Sequence, residues 1–182
     1  WRWVMVLMVV GMLGIGYLAF TRPYVMKRIQ TFIHPTADSL GSSYQIQQSL
    51  IAIGSGGMFG RGFGQSVQKF TYLPEPIGDS IFAVAAEEFG FAGSIVLLAI
   101  FLLFATRGLK IASGVPNVFG RLTIVGLVIM IIAQAFVNIG AMLGVLPLSG
   151  ITLPFVSHGG TSLFISLFEV GVVLSISRSQ KT

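Results

Sequence analysis

The stretch LTIVGLVIMIIAQAFVNIGAMLGVL, residues 122–146, decides the class of this protein, because it runs its whole length without a charged side chain. A helix needs about 20 mostly apolar residues to cross a bilayer. Leu122–Leu146 has that length, and Trp3–Phe20, Ser80–Ala105 and Thr161–Ser177 have it or approach it, the last by borrowing from its flanks. The composition agrees, with 54% hydrophobic and 9% charged residues and a mean hydropathy of +0.88. Soluble domains carry roughly 25% charged residues, so the solvent of this chain is lipid. The expected fold is all-α, a polytopic transmembrane bundle with four spans and a large extracytoplasmic loop, Thr21–Asp79. The chain contains no cysteine, which excludes a disulfide framework or thiolate metal site. Its net charge of +5 is scattered rather than massed on one face, which argues against nucleic acid. The start at Trp1, on an apolar segment with no initiator Met or signal pattern, reads as a cut within a longer protein.

The short connections orient the spans. Residues 106–121 carry Arg107, Lys110 and Arg121, and the tail carries Arg178 and Lys181, whereas 147–160 carries neither Lys nor Arg. The positive-inside rule makes the first two cytoplasmic and the last external. Counting back places Thr21–Asp79 outside and Arg2 at a cytoplasmic start. That outer segment is itself basic, with Arg22, Lys27, Arg28, Arg61 and Lys69 against Asp38, Glu75 and Asp79. The rule weakens for loops of about 60 residues, so the charge calls for another reason. Either an anionic lipid phosphate or pyrophosphate binds there, or the side chains snorkel to headgroups.

Within the outer segment, Arg22-Pro23 ends or bends the first span, and His34-Pro35 through Ser43 reads as loop. Tyr44–Ile53 reads as a short helix lying against protein or in the interface. The glycine run Gly54–Gly64 resembles an anion-binding nest, but it lacks a Gly-Lys-Ser/Thr ending and G-x-G-x-x-G spacing. Close backbone packing is the preferred reading, with Arg61 and Lys69 as nearby anion contacts. Tyr72-Leu73-Pro74-Glu75-Pro76-Ile77-Gly78-Asp79-Ser80 then delivers two carboxylates to the outer end of the second span. Asp79 suits a helix N-cap and equally a general base, since a helix N-terminus favours its ionised form; the two roles are compatible.

Polar residues inside the spans need partners. Glu87 and Glu88 lie roughly 12–14 Å along a helix from Asp79 and must face protein rather than lipid. Gln134 and Asn138 are expected to bond between helices, with Asn138 also a candidate cavity residue, and Glu169 to face a cavity or a basic partner. Irregular backbone such as Leu146–Gly160 survives at membrane depth only where protein or a wet cavity surrounds it; Ser157 in this loop is a further cavity candidate. His158 has no second histidine at ligand spacing, so no protein metal site is expected.

Three stretches resemble the shape, elongation, division and sporulation (SEDS) glycosyltransferases, the family of FtsW and RodA. They are Arg22-Pro23-Tyr24 through Pro35; Tyr44-Gln45 through Gly57, with Gln68-Lys69 and Tyr72-Leu73-Pro74-Glu75; and Gly150 through Ser162. The second is closer to FtsW than to RodA. The resemblance implies the last four of ten spans and a lipid II polymerase that releases undecaprenyl pyrophosphate outside the bacterial cytoplasmic membrane. It also implies a growing glycan strand and a class B penicillin-binding transpeptidase as partners, and a possible divalent cation, Mg or Mn, carried with the pyrophosphate. The family's essential aspartate, usually in Thr-Asp-Phe-Ile-Phe-Ala, falls on Asp79 of Gly78-Asp79-Ser80-Ile81-Phe82-Ala83, as general base for the acceptor hydroxyl. Glu75 is expected to support it, Arg61 and Lys69 to contact the pyrophosphate, and Asn138 and Ser157 to line the substrate cavity. Gly78, Ser80 and His158 depart from the usual Thr, Phe and Tyr, and Ser149 stands where some members carry Lys. A lipid II flippase or transporter, and a scaffold for a transpeptidase, are the alternatives.

Overall fold

The computed structural model describes residues 1–34 and 42–178. Asp38 and most of the loop expected from His34 to Ser43 lie outside the described residues, as does Lys181. Every regular element among the described residues is a helix, seven in order: α1 Arg2–Thr21, α2 Pro23–Ile33, α3 Ser42–Ser55, α4 Val67–Thr71, α5 Ile81–Gly114, α6 Val118–Met142 and α7 Gly160–Ser177. Among the described residues, α5, α6 and α7 are long and apolar enough to cross a membrane, and α1 contributes a shorter apolar stretch, Arg2–Gly14.

Helix ends differ from the expected span ends for a simple reason. Hydropathy marks where lipid begins, whereas backbone hydrogen bonding carries a helix on into the charged region. Thus α5 runs past Arg107 and Lys110, and the expected connection 106–121 contracts to Val115-Pro116-Asn117. There Asn117 caps α6 by accepting a hydrogen bond from the Phe119 N–H at 3.0 Å. The outer segment is also less loop-like than expected. Pro23 does end α1, with Arg22 extended, but it then serves as the first residue of α2, where its missing N–H costs nothing.

The bundle is centred on α5 and α6, with α7 packed on α6 and α3 packed on α5. One core joins Ile46 of α3 to Phe82 and Phe101 of α5, Ile139 and Met142 of α6, and Leu148 and Leu153 of the following loop. A second lies toward the other end, built from Ala112, Val115, Ile124, Val128 and Val173. The helix α3 therefore lies against protein: Ala52 is fully buried there, packed with Leu73, Ala83 and Val84.

One feature of α5 decides the geometry of the segment that precedes it. Its backbone leaves the helical region at Gly90 (φ 68°, ψ −165°), so it is two helical pieces joined at a break. The glycine run after α3 lies against that break. Arg61 and Gly62 N–H donate to the Glu87 and Glu88 carbonyls at 3.0 Å each, and Phe91 and Ala92 N–H donate to the Gly57 and Met58 carbonyls at 2.8 and 3.0 Å. Backbones meet so closely that a Cβ on Gly60 would stand 2.1 Å from the Glu88 carbonyl oxygen. The glycines thus serve close packing, and their partners are the polar groups that a broken helix leaves open.

Candidate active site

Asp79 is positioned by the turn that precedes α5. Glu75 takes a left-handed conformation (φ 47°), and its carbonyl accepts the N–H groups of Gly78 (3.0 Å) and Ser80 (3.3 Å). Ser80, not Asp79, is the N-cap residue of α5, and its side chain makes no capping bond. The Ser80 hydroxyl instead donates to the Pro74 carbonyl at 2.9 Å. Asp79 therefore keeps its carboxylate free of helix capping. Gln45 of α3 donates its Nε2 to Asp79 Oδ1 at 3.1 Å and to Ser80 Oγ at 3.0 Å.

The loop after α6 holds this turn from behind. The Asn138 amide donates to two carbonyls at once, Asp79 and Ile151, each at 2.7 Å. The Ser157 hydroxyl donates to the Gly78 carbonyl at 2.6 Å and accepts the Leu153 N–H at 2.8 Å. His158 donates its backbone N–H to the Ile77 carbonyl at 2.8 Å. Gln134 donates to the Thr152 carbonyl at 3.0 Å. Both span amides thus bond the irregular loop rather than a neighbouring helix. The middle of that loop turns inward, with Leu153 and Pro154 fully buried, while Ile151, Phe155 and Val156 on either side of them stay exposed.

In front of Asp79 lies a pocket of about 260 Å³ lined by Tyr24, Lys27, Arg28, Gln45, Asp79, Leu148 and Gly150. Arg28 donates to the Leu148 carbonyl, and its guanidinium carbon lies 4.5 Å above the Tyr24 ring. A stacked and bonded guanidinium is a fixed cation, well shaped for phosphate oxygens. The pocket thus presents a half-buried carboxylate and two cationic side chains. Such a set can accept a proton from a hydroxyl and hold an anionic leaving group nearby.

The other expected site residues fall elsewhere. Glu75 is exposed and does not line the pocket. Asn138 and Ser157 are buried, and each spends its side-chain donor on the backbone that carries Asp79. Arg61 lies 3.6 Å from Glu87 and Lys69 lies 3.7 Å from Glu88. They belong to the glycine-run cluster, outside the residues lining the Asp79 pocket. Glu87 is fully buried and accepts from the Ser66 hydroxyl (2.6 Å) and the N–H groups of Val67 (3.1 Å) and Gln68 (3.3 Å). Its carboxylate closes the N-terminus of α4.

In the sequence Lys27 and Arg28 stand out only as part of a basic outer segment, and Tyr24 and Gln45 carry no site signal of their own. A finer signal is present: Tyr24, Lys27 and Arg28 stand at i, i+3 and i+4, one face of a helix. It is hidden because Pro23 marks a break in the first span and gives no sign that a helix restarts on it. Among the described residues no group of three or more His, Asp or Glu side chains is placed to hold a metal. Among the described residues Asp79 is also the single carboxylate lining the pocket.

Comparison with known proteins gives this geometry a context. Residues 1–182 match the family model of the FtsW, RodA and SpoVE cell cycle proteins. The chain is 48% identical over 169 residues to stage V sporulation protein E of Bacillus subtilis (strain 168), covering 93% of this chain and 46% of that protein. It is 45% identical over 168 residues to a probable peptidoglycan glycosyltransferase FtsW of Geobacter sp. (strain M18), covering 92% and 46%. The chain thus spans less than half the length of these relatives. Among solved structures it resembles one described as the structural coordination of polymerization and crosslinking by a peptidoglycan synthase complex. There the TM-score is 0.75 at 29% identity, over 100% of this chain and 50% of that one. It also resembles an aspartate-to-alanine mutant of the Thermus thermophilus rod shape determining protein RodA. That match has a TM-score of 0.57 at 36% identity, over 74% of this chain and 40% of the other.

Proposed function

The chain belongs to the FtsW, RodA and SpoVE family of cell cycle proteins, and from that premise we propose that it is the C-terminal half of a peptidoglycan glycosyltransferase. In this reading it polymerises lipid II into glycan strands at the outer face of the bacterial cytoplasmic membrane, in division or elongation. The observation that carries the reading is the pocket where Asp79, half-buried and uncommitted to capping, shares a wall with Lys27 and Arg28.

The acceptor sugar hydroxyl gives its proton to the Asp79 carboxylate while its oxygen bonds the anomeric carbon of the donor. The bond from that carbon to the pyrophosphate oxygen breaks on the opposite side, and undecaprenyl pyrophosphate leaves with the electron pair. Arg28 and Lys27 hold the charge of the leaving group, in place of Arg61 and Lys69, whose cations sit beside Glu87 and Glu88. Gln45 orients the carboxylate, and Asn138 and Ser157 fix the backbone behind it. Among the described residues one carboxylate lines the pocket, and in this reading a divalent ion, Mg or Mn, would enter with the pyrophosphate. The resemblance to a synthase complex that couples polymerization to crosslinking supports a class B penicillin-binding transpeptidase as partner.

The test is polymerisation of purified lipid II by the full-length protein and its Asp79→Asn variant. General-base catalysis contributes about 10²–10⁴-fold, and a fall of that size at unchanged melting temperature is expected. Polymer made at the parental rate would remove Asp79 as base. Translocation of lipid II without polymer would support a transporter instead, and full complementation of growth by the variant would support a scaffold.

A further inference from the structure

The residues from Met58 to Tyr72 carry an aromatic surface that no packing within the described chain explains. Phe59 is 85% exposed, Phe63 82% and Phe70 73%, and Met58 and Tyr72 are exposed beside them. A soluble loop would turn such side chains inward or replace them. These cannot turn inward easily, because the segment is pinned to α5 by four backbone hydrogen bonds between residues 57–62 and 87–92. Phe63 also lies 5.9 Å from Phe89, ring centre to ring centre.

The level of that attachment is set by α5. Phe91 to Thr106 carry no charge, and the first charge on the far side is Arg107. From the break at Gly90 to Arg107 is roughly 25 Å at 1.5 Å per residue, close to the ~30 Å of a hydrocarbon core. The break therefore stands at one boundary of the hydrocarbon, with Glu87 and Glu88 just beyond it. Everything bonded to residues 87–92 stands at the same boundary. The exposed face of α5 continues across it through Phe89, Phe91, Ile95 and Val96, so the aromatic surface is continuous with the face α5 turns to lipid.

We infer that residues 58–72 form a fixed interfacial apron seated in the outer leaflet of the bilayer, with Phe59, Phe63 and Phe70 at the level of the headgroup boundary. Aromatic side chains settle at that level because an apolar ring and a polar surround are both satisfied there. Arg61 and Lys69, 43% and 31% exposed in their side chains, direct their remaining solvated surface toward lipid phosphates. Glu87 and Glu88 keep them in place beneath. The apron goes beyond the proposed catalytic reading and stands without it.

The experiment places spin labels on Phe59→Cys, Phe63→Cys and Phe70→Cys of the full-length protein in phosphatidylcholine–phosphatidylglycerol vesicles, with a label on Pro116→Cys as a control outside the hydrocarbon. Collisions with oxygen, which concentrates in lipid, are compared with those of a water-soluble nickel chelate. Oxygen collisions severalfold more frequent at the apron labels than at the Pro116 label, with the nickel ratio reversed, are the expected result. Nickel access equal to the control would put the apron in water and overturn the inference. Immobile labels reached by neither probe would mean that protein covers the surface, and would overturn it equally. Phe59 is 85% exposed, so its label tests the point even where Phe63, in contact with Phe89, is sensitive to replacement.

Discussion

At the pocket, Asp79 stands half-buried with Gln45 at 3.1 Å and the Ser80 hydroxyl at 3.4 Å on one oxygen, while a short helix away Glu87 is fully buried with Ser66, Val67 and Gln68 on both of its oxygens. Both carboxylates lie near basic side chains, and in the sequence the two neighbourhoods look equally suited to substrate. What separates them is hydrogen-bond satisfaction. Glu87 has its lone pairs filled by the protein and is a structural fastener. Asp79 has its backbone held firmly and its carboxylate left able to accept a proton. A site needs a fixed frame with an unspent group, and in the described chain the Asp79 pocket combines the two.

Four perturbations break or sharpen this contrast, beyond the Asp79→Asn assay. Glu87→Ala leaves a buried hydroxyl and two N–H groups without an acceptor and uncouples α4 from α5. Each buried donor left without an acceptor costs about 1–3 kcal/mol, seen as a clear fall in thermal stability in vesicles even though the residue lies outside the pocket. A variant as stable as the parent would erase the distinction between fastener and catalyst. Gly60→Ala comes next, since the new Cβ meets the Glu88 carbonyl at 2.1 Å in a left-handed backbone (φ 79°). Overpacking of this kind costs about 3 kcal/mol, whereas Gly54→Ala, with nothing within 4 Å, should leave stability unchanged in the same melting experiment.

A smaller effect on stability but a sharper one on turnover is expected for Asn138→Ala. The Asp79 and Ile151 carbonyls lose their donor, at about 1–3 kcal/mol. In the proposed mechanism Asn138 positions Asp79 and does not touch substrate, so kcat should fall while KM for lipid II stays near the parent value. A rise in KM alone would make Asn138 a substrate contact. The smallest effect is expected for Arg61→Gln. An ion pair with one partner this exposed contributes about 0–1 kcal/mol, and polymerisation should stay within a few-fold. Arg28→Gln, in the pocket, should lower it far more, and equal effects would merge the two basic regions.

Much of the candidate site was legible in the sequence, though in pieces. Asp79 stood out because Pro74, Pro76 and Gly78 fix its path and an apolar helix follows. The glycine run was legible as close packing because the phosphate-loop spacing was missing. Arg28 was not legible, since its use depends on Leu148, 120 residues away, whose carbonyl it bonds. Nor was the N-cap assignment, because Asp79 and Ser80 are adjacent residues of equal capping propensity. The turn at Glu75 settled it by moving the start of α5 to Ile81.

The sequence by itself determined the solvent and the class, since apolar runs of bilayer length can satisfy their backbone in lipid only as helices. It also determined that Glu87 and Glu88 needed protein partners, because charge in hydrocarbon is costly wherever it stands in the chain. Tertiary structure alone decided which charged groups remain available. Availability depends on which carbonyls and amides reach each side chain, and those arrive from distant segments. Asn138 reaching the Asp79 carbonyl and Ser66 reaching the Glu87 carboxylate are long-range events, and they fix the backbone at one carboxylate and fill the oxygens of the other.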